Sequence, residues 1–313
     1  MEALLSVIMP VYNEETILRQ GVMRTVQVLC EAEIPHELIL VDDGSRDGTW
    51  AQMCALCEEL PQLWAVRFSR NFGKEGAMAA GLDRARGACV VVMDCDMQHP
   101  PEVLPEMVRL WREEGYQVVE GLKNARGKES AVHRWAADTF YRLLKTSSGI
   151  DLHNASDFRL LDRAALEAWK QMPEHQTFFR AMSTWVGFSR TQVRFDVAER
   201  PGGGTRFSTL HLFRLALDAI TSFSAMPMQL VTLSGVVMLL LSVVMGAQTL
   251  YMKLSGRAVE GFTTVILLQL LIGAVLMIGL GVVGVYIAKI YEEVKGRPRY
   301  LVQREVGGPR DEV

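Results

Sequence analysis

VVVMDCDMQHPP (90–101) ends an apolar run with two aspartates one residue apart, followed by a proline-set turn. The run reads as a buried strand, and side chains alternate faces along a strand, so Asp94 and Asp96 share one face while Cys95 turns to the other. Two hard carboxylates on one face suit Mg²⁺ or Mn²⁺, which keep waters and take further oxygens from a substrate's phosphates. Gln98 falls on the same face if the strand persists and adds an oxygen. His99 admits a zinc reading, against which stands the lack of a second His or Cys nearby. A lone D-x-D also arises in ordinary surface turns, so its place at the end of an apolar strand is what gives it weight.

Outward from this stretch, the first 120 residues or so alternate short apolar runs with amphipathic ones, the pattern of an α/β sheet. Strands are expected at 6–10, 37–41, 64–68, 89–93 and 117–121, with helices at 14–32, 49–60, 74–85 and 102–114. In such sheets ligands bind beyond the carboxyl ends of the strands. The polar clusters lie there: Tyr12-Asn13-Glu14, Asp42-Asp43-Gly44-Ser45, Arg70-Asn71 and the aspartates of the opening stretch. The Asp42 cluster also reads as a plain strand-to-helix turn in which Asp47 caps the next helix, and the two roles are compatible.

The 313 residues carry a formal net charge of -3, which gives no basic bias toward a nucleic-acid partner. Residues 226–252 and 261–288 contain no Asp, Glu, Lys or Arg, and each exceeds the ~20 residues that cross a bilayer core. They are joined by 253–260, a short loop, so they read as a hairpin that returns the chain to its starting side. Lys289, Lys295, Arg297, Arg299 and Arg304 follow the second span, against Lys253 and Arg257 in the loop, which places the starting side in the cytoplasm. The N-terminal LLSVIMPVY reads as a strand, so no signal peptide is expected. The expected organisation is an α/β domain at 1–205, an amphipathic segment at 206–225, the two spans, and a cytoplasmic tail at 289–313. The amphipathic segment fits a helix lying in the membrane interface or one packed on the soluble core. Cys30, Cys54, Cys57, Cys89 and Cys95 form no disulfide framework, and the Cys54–Cys57 spacing reads as packing.

PVYNEE (10–15), VDDGSRDGT (41–49), RNFGKEGA (70–77), MDCDMQHPPE (93–102), GKES (127–130), SDFRL (156–160), GGTRF (203–207) and VKGRPRYLV (294–302) occur in this order. Together they resemble the family 2 glycosyltransferases that load polyprenyl phosphate, in particular the bactoprenol glucosyltransferase branch related to dolichol-phosphate mannose synthases. The resemblance covers nearly the whole chain. It implies a GT-A fold, Rossmann-like, with Asp94, Asp96 and Gln98 on a Mg²⁺ or Mn²⁺ that holds the donor diphosphate. It places Pro10, Tyr12, Glu14, Asp42 and Asp43 beside the nucleotide. Arg126, Ser130 and Arg134 would receive the acceptor phosphate, and Arg200 and Arg206 would close on the phosphates; those arginines also read as a basic skirt facing anionic lipid. Asp157, with Asp96, would carry the catalysis. Ser156 stands where the family often has glycine, which puts the backbone beside Asp157 in question.

What the resemblance implies is inverting transfer of a sugar, best matched by glucose from UDP-glucose, to undecaprenyl or another polyprenyl phosphate at the cytoplasmic membrane. It further implies a homotetramer. GDP-mannose or an aminoarabinose donor lies within the same architecture, and a nucleotide-binding membrane subunit without catalysis is the rival from another class. A processive polysaccharide synthase fits less well, because such enzymes usually have more spans and a Q-x-x-R-W-type motif, and this sequence has neither.

Overall fold

The computed structural model describes residues 5–124, 155–172, 174, 178–196, 226–255 and 261–308. The amphipathic segment at 206–225 lies outside the described residues. Two units form, one built on a sheet and one consisting of long helices.

The apolar runs become parallel strands because they are buried on both faces. β1 (Leu5–Val11), β2 (His36–Asp42), β3 (Leu63–Phe68) and β4 (Cys89–Val92) alternate with α1 (Leu18–Glu31), α2 (Thr49–Glu59) and α3 (Lys74–Arg84). After α4 (Leu104–Glu114) come β5 (Val118–Lys123) and β6 (Ala155–Asp162), then α5 (Arg163–Lys170), α6 (Phe179–Trp185) and β7 (Arg190–Phe195). The helical unit contributes α7 (Met226–Leu254) and α8 (Phe262–Val294), and β8 (Val302–Gly307) rejoins the sheet. The strand order is β7-β5-β6-β4-β1-β2-β3-β8. β4, β1, β2 and β3 run parallel, β6 is antiparallel to both β4 and β5, and β8 is antiparallel to β3.

Alternation along β1 divides the core. Leu5, Val7 and Met9 pack with α1, α2 and α4, whereas Ile8 packs on the other face with α3 and α5. On the first face α1 runs close to the aspartate turn: a methyl on Gly21 would overlap the Cys95 carbonyl oxygen. On the second face Arg159, only 1% exposed, anchors α6 by donating to Arg180 O at 2.9 Å, Ser183 Oγ at 2.7 Å and Thr184 Oγ1 at 3.0 Å. Glu75 on α3 accepts from Phe179 N at 2.9 Å and ties α6 down from the other side.

Three local expectations change. α1 begins at Leu18, not at 14, because Asn13 has φ 54 and the following turn is tied elsewhere: Asn13 N donates to Ser45 Oγ at 2.9 Å and Glu14 N to Thr49 Oγ1 at 3.0 Å. β4 stops at Val92, so strand alternation does not govern Asp94 and Asp96, and Met97 at φ 63 bends the chain back. The residues after the second apolar run are not simply a tail. α8 continues to Val294, and 302–307 closes the edge of the sheet beside β3. Tyr300 stacks on Phe68 with ring centroids 5.1 Å apart and donates to Asp83 Oδ2 at 2.7 Å, while Arg84 pairs with Glu305 at 2.5 Å.

In the helical unit, Met228–Met252 and Leu268–Val294 are long and apolar enough to cross a membrane. Leu239, Val243, Val244, Met277 and Ile278 are exposed there, as lipid-facing residues are.

Two outcomes are expected. Tyr300→Ala removes the stack on Phe68 and the bond to Asp83, and should cost about 1–3 kcal/mol, read as a lower unfolding midpoint in detergent. Burial pushes the Glu75 carboxyl up to about 7 from an ordinary 4.5. The folded chain therefore keeps a proton that the unfolded chain releases near pH 4.5, and this contribution to stability is lost as pH rises through 7. Glu75→Gln keeps an acceptor for Phe179 N–H and removes the titration. Its unfolding midpoint relative to wild type should climb between pH 4.5 and 7, and a flat difference would clear Glu75 of the effect.

Candidate active site

The ends of β1, β2 and β4 and the start of α3 enclose a cavity of about 310 Å³. Among the residues singled out from the sequence, Pro10, Tyr12, Glu14, Asp43, Asp94 and Asp96 line it. Asp42 does not. It is fully buried behind the cavity wall, where its Oδ1 accepts from Ser45 N at 2.8 Å and its Oδ2 lies 3.3 Å from Arg67 Nε. Asp43 accepts from Phe72 N at 2.6 Å and Gly73 N at 2.9 Å, so one carboxylate at the end of β2 fixes the turn that opens α3. Burial raises its pKa against the pull of those two donors. Gly73 sits at φ 92, a conformation that glycine adopts without penalty, and it delivers Lys74 to the cavity as the first residue of the helix.

The aspartate turn is held from beneath. Asp94 N donates to His99 Nδ1 at 3.0 Å, which puts the ring hydrogen on Nε2. His99 is 2% exposed and stacks on Phe158 at 5.1 Å, with Phe195 edge-on at 5.9 Å. Burial pushes its pKa down to about 4, so it is a neutral acceptor at pH 7. His99 thus positions Asp94, and among the described residues no three His, Cys, Asp or Glu gather as a metal cage. Gln98 N donates to Asp96 Oδ1 at 3.0 Å, and Gln98 is not among the cavity-lining residues. The Asp94–Asp96 pair fits a hard divalent cation, which needs only one or two protein carboxylates when a diphosphate and waters supply the rest.

Asp157 joins this turn through a cation. It is 6% exposed on β6, and Arg180 of α6 grips both oxygens, with Nε to Oδ1 at 2.6 Å and Nη2 to Oδ2 at 3.0 Å. Lys74 Nζ reaches Asp157 Oδ2 at 2.9 Å and Asp94 Oδ1 at 2.5 Å. Burial by itself would raise the Asp157 pKa, but Arg180 and Lys74 outweigh it and hold the carboxyl well below the usual carboxylate range. Desolvation opposes the Lys74 charge in turn, yet Asp94 and Asp157 outweigh it and raise the Lys74 pKa. Both groups are ionised at neutral pH.

The SDFRL stretch explains why these parts meet. Asp157 faces Lys74 and Arg180, and Arg159, two residues on along the strand, anchors the helix that carries Arg180. Phe158 points the other way and stacks on His99. Ser156, the departure that put the backbone beside Asp157 in question, lies within β6 and donates to Gly121 O at 2.6 Å. Lys74, Arg180 and the positioning role of His99 escaped the sequence reading. Lys74 sits inside the quoted RNFGKEGA and follows a glycine at a strand-to-helix turn, which is a usable signal; Arg180, in an ordinary amphipathic stretch, offers none. Arg126, Ser130, Arg134, Arg200 and Arg206 lie outside the described residues.

Comparison with known proteins places this geometry in a family. The description Glycosyl transferase family 2 matches residues 6–169. The uncharacterized glycosyltransferase sll0501 of Synechocystis sp. is 39% identical over 95% of this chain and 94% of its own length. The prophage bactoprenol glucosyl transferase homolog of Escherichia coli K12 is 36% identical over 96% of this chain and 98% of its own. A solved structure of glucosyl-3-phosphoglycerate synthase from Mycobacterium tuberculosis, with Mn²⁺, UDP-glucose and phosphoglyceric acid, shares the fold. Its TM-score is 0.50 at 22% identity, covering 71% of this chain and 78% of that one. A mixed sheet with an aspartate pair at the end of a central strand, and relatives matched over nearly their whole length, make this chain a member of glycosyltransferase family 2 with a GT-A fold.

Proposed function

We propose that the chain transfers glucose from UDP-glucose to a polyprenyl phosphate, with inversion at the anomeric carbon, at the cytoplasmic face of a membrane. The observation that carries this reading is the joining of Asp94 to Asp157 through Lys74 at the mouth of β4, in a chain that also has two helices apt for lipid. The relatives named as bactoprenol glucosyl transferases support the acceptor and sugar, since they match this chain from the sheet through the helix pair. The solved relative of the same fold with Mn²⁺ and UDP-glucose supports the donor and the cation. In this reading 1–205 is the catalytic domain, 206–225 lies along the membrane interface, 226–252 and 261–288 span it, and the assembly is a homotetramer.

A phosphate monoester is already largely dianionic at neutral pH, its second pKa being about 6, so the acceptor needs no strong base to attack. The obstacle is charge: an anion approaches an anionic donor, and more negative charge develops on the departing diphosphate. Asp94 and Asp96 would hold Mg²⁺ or Mn²⁺, which neutralises that diphosphate; Gln98 keeps Asp96 oriented through its N–H. Asp157, held anionic by Arg180 and Lys74, is unsuited to taking a proton at pH 7. Its role is to orient a sugar hydroxyl and to favour the positive charge that develops at the sugar ring. Arg126, Ser130, Arg134, Arg200 and Arg206 bring the two phosphates in.

Purified protein given undecaprenyl phosphate, Mn²⁺ or Mg²⁺ and a panel of labelled UDP- and GDP-sugars should move label from UDP-glucose into the organic phase, and EDTA should stop it. Transfer from a GDP-sugar alone would replace the donor assignment. Asp157→Asn should lose roughly 100-fold or more in kcat with donor affinity kept, as loss of a transition-state interaction does. Normal turnover in that variant would remove Asp157 from the reaction. Asp96→Ala should abolish metal-dependent transfer, and full activity with chelator present would end the metal assignment.

A further inference from the structure

Asp94 belongs to two arrangements at once. On the cavity side it stands with Asp96, the pair to which the proposed function assigns a divalent cation. On the protein side its Oδ1 is 2.5 Å from Lys74 Nζ, and the same ammonium is 2.9 Å from Asp157 Oδ2. One lysine thus neutralises a carboxylate of the aspartate turn together with the carboxylate that Arg180 grips. The Lys74 side chain is 41% exposed and borders the cavity, so its tip has room to leave. Its backbone has none, because Asp43 holds the two preceding N–H groups at 2.6 and 2.9 Å.

We infer that Lys74 is the resident counter-ion of the metal site: its ammonium holds Asp94 until a divalent cation arrives, competes with that cation for the carboxylate, and then turns to the donor's diphosphate. This rests on the reading of Asp94 and Asp96 as a metal pair. A cation entering beside a bound ammonium meets like charge and a carboxylate that is already partly neutralised. Metal alone therefore binds weakly. A diphosphate offers the displaced ammonium a new anionic partner, so metal and nucleotide strengthen each other's binding by the same factor. Asp157 keeps Arg180 throughout, and so remains in place while its second cation moves. Lys74 is in this sense a positioning residue that ties the filling of the metal site to the arrival of the donor.

The test is Mn²⁺ binding by the full-length protein in detergent, followed by the electron paramagnetic resonance signal of free Mn²⁺, with and without UDP. Wild type should bind weakly alone and more tightly with UDP. Lys74→Met should bind Mn²⁺ alone about tenfold more tightly, as removal of a like charge at a half-exposed site allows, and should gain less from UDP. Lys74→Gln, a second neutral variant, should behave the same, and Lys74→Arg, which keeps the charge, should stay close to wild type. Thermal unfolding shows which variants are folded. Neutral, folded variants that bind Mn²⁺ no more tightly than wild type would overturn the inference and leave the metal pair standing. Wild type that binds no Mn²⁺ even with UDP would instead overturn the metal pair, and the inference with it.

Discussion

A buried carboxylate with both oxygens held by cations organises the sheet unit. Asp157 could not remain charged at 6% exposure without compensation, because desolvating an anion costs several kcal/mol. Arg180 and Lys74 supply that compensation from two different helices, so β6, α3 and α6 have to meet at one point. Each is then held by something else: Lys74 by the turn that Asp43 fixes, Arg180 by the grip of Arg159 on the backbone of α6. Arg180 reaches both oxygens of Asp157, so losing it exposes the buried anion most, while Lys74 adds a second cation from the cavity side.

The apolar core makes this geometry possible without directing it. β1, β2 and β4 are buried valine, leucine and isoleucine runs whose packing sets the sheet, and the sheet fixes where the strands end. Chemistry collects where hydrogen bonding within the strands stops, because carboxylates there can face water and ligand. His99 shows the transition from one regime to the other. Its ring packs among Phe158 and Phe195 as a core residue would, while its Nδ1 accepts the N–H that holds Asp94 in place.

Legibility in the sequence followed the range of the interactions. Short, near-continuous apolar runs exposed β1 to β4, and the amphipathic stretches between them exposed α1 to α4, since both patterns are local. β6, β7 and β8 were not read. β6 and β8 pair antiparallel with distant neighbours, and β7 alternates exposed and half-buried residues without a strong apolar signal. In the site, Asp43, Asp94 and Asp96 stood out because they follow apolar strands directly. Arg180 did not, because its partner lies 23 residues away and is reached only through the packing of α6. The extended reading of the aspartate pair failed because β4 stops at Val92, before either aspartate, and the chain bends back at Met97, whose left-handed φ no periodicity announces.

The return of β8 to the sheet also has a consequence for synthesis. The strand that covers the outer edge of β3 is made after both apolar helices, and β3 itself is made before them. A nascent chain folds from its N-terminus, so until 302–307 emerge β3 presents an unpaired edge, and the aromatic face of Phe68 waits for Tyr300. The sheet is therefore completed only after the ribosome has emitted both long apolar helices. A chain that stalls or is cut before that point carries an open edge, the kind of surface that cellular quality control recognises.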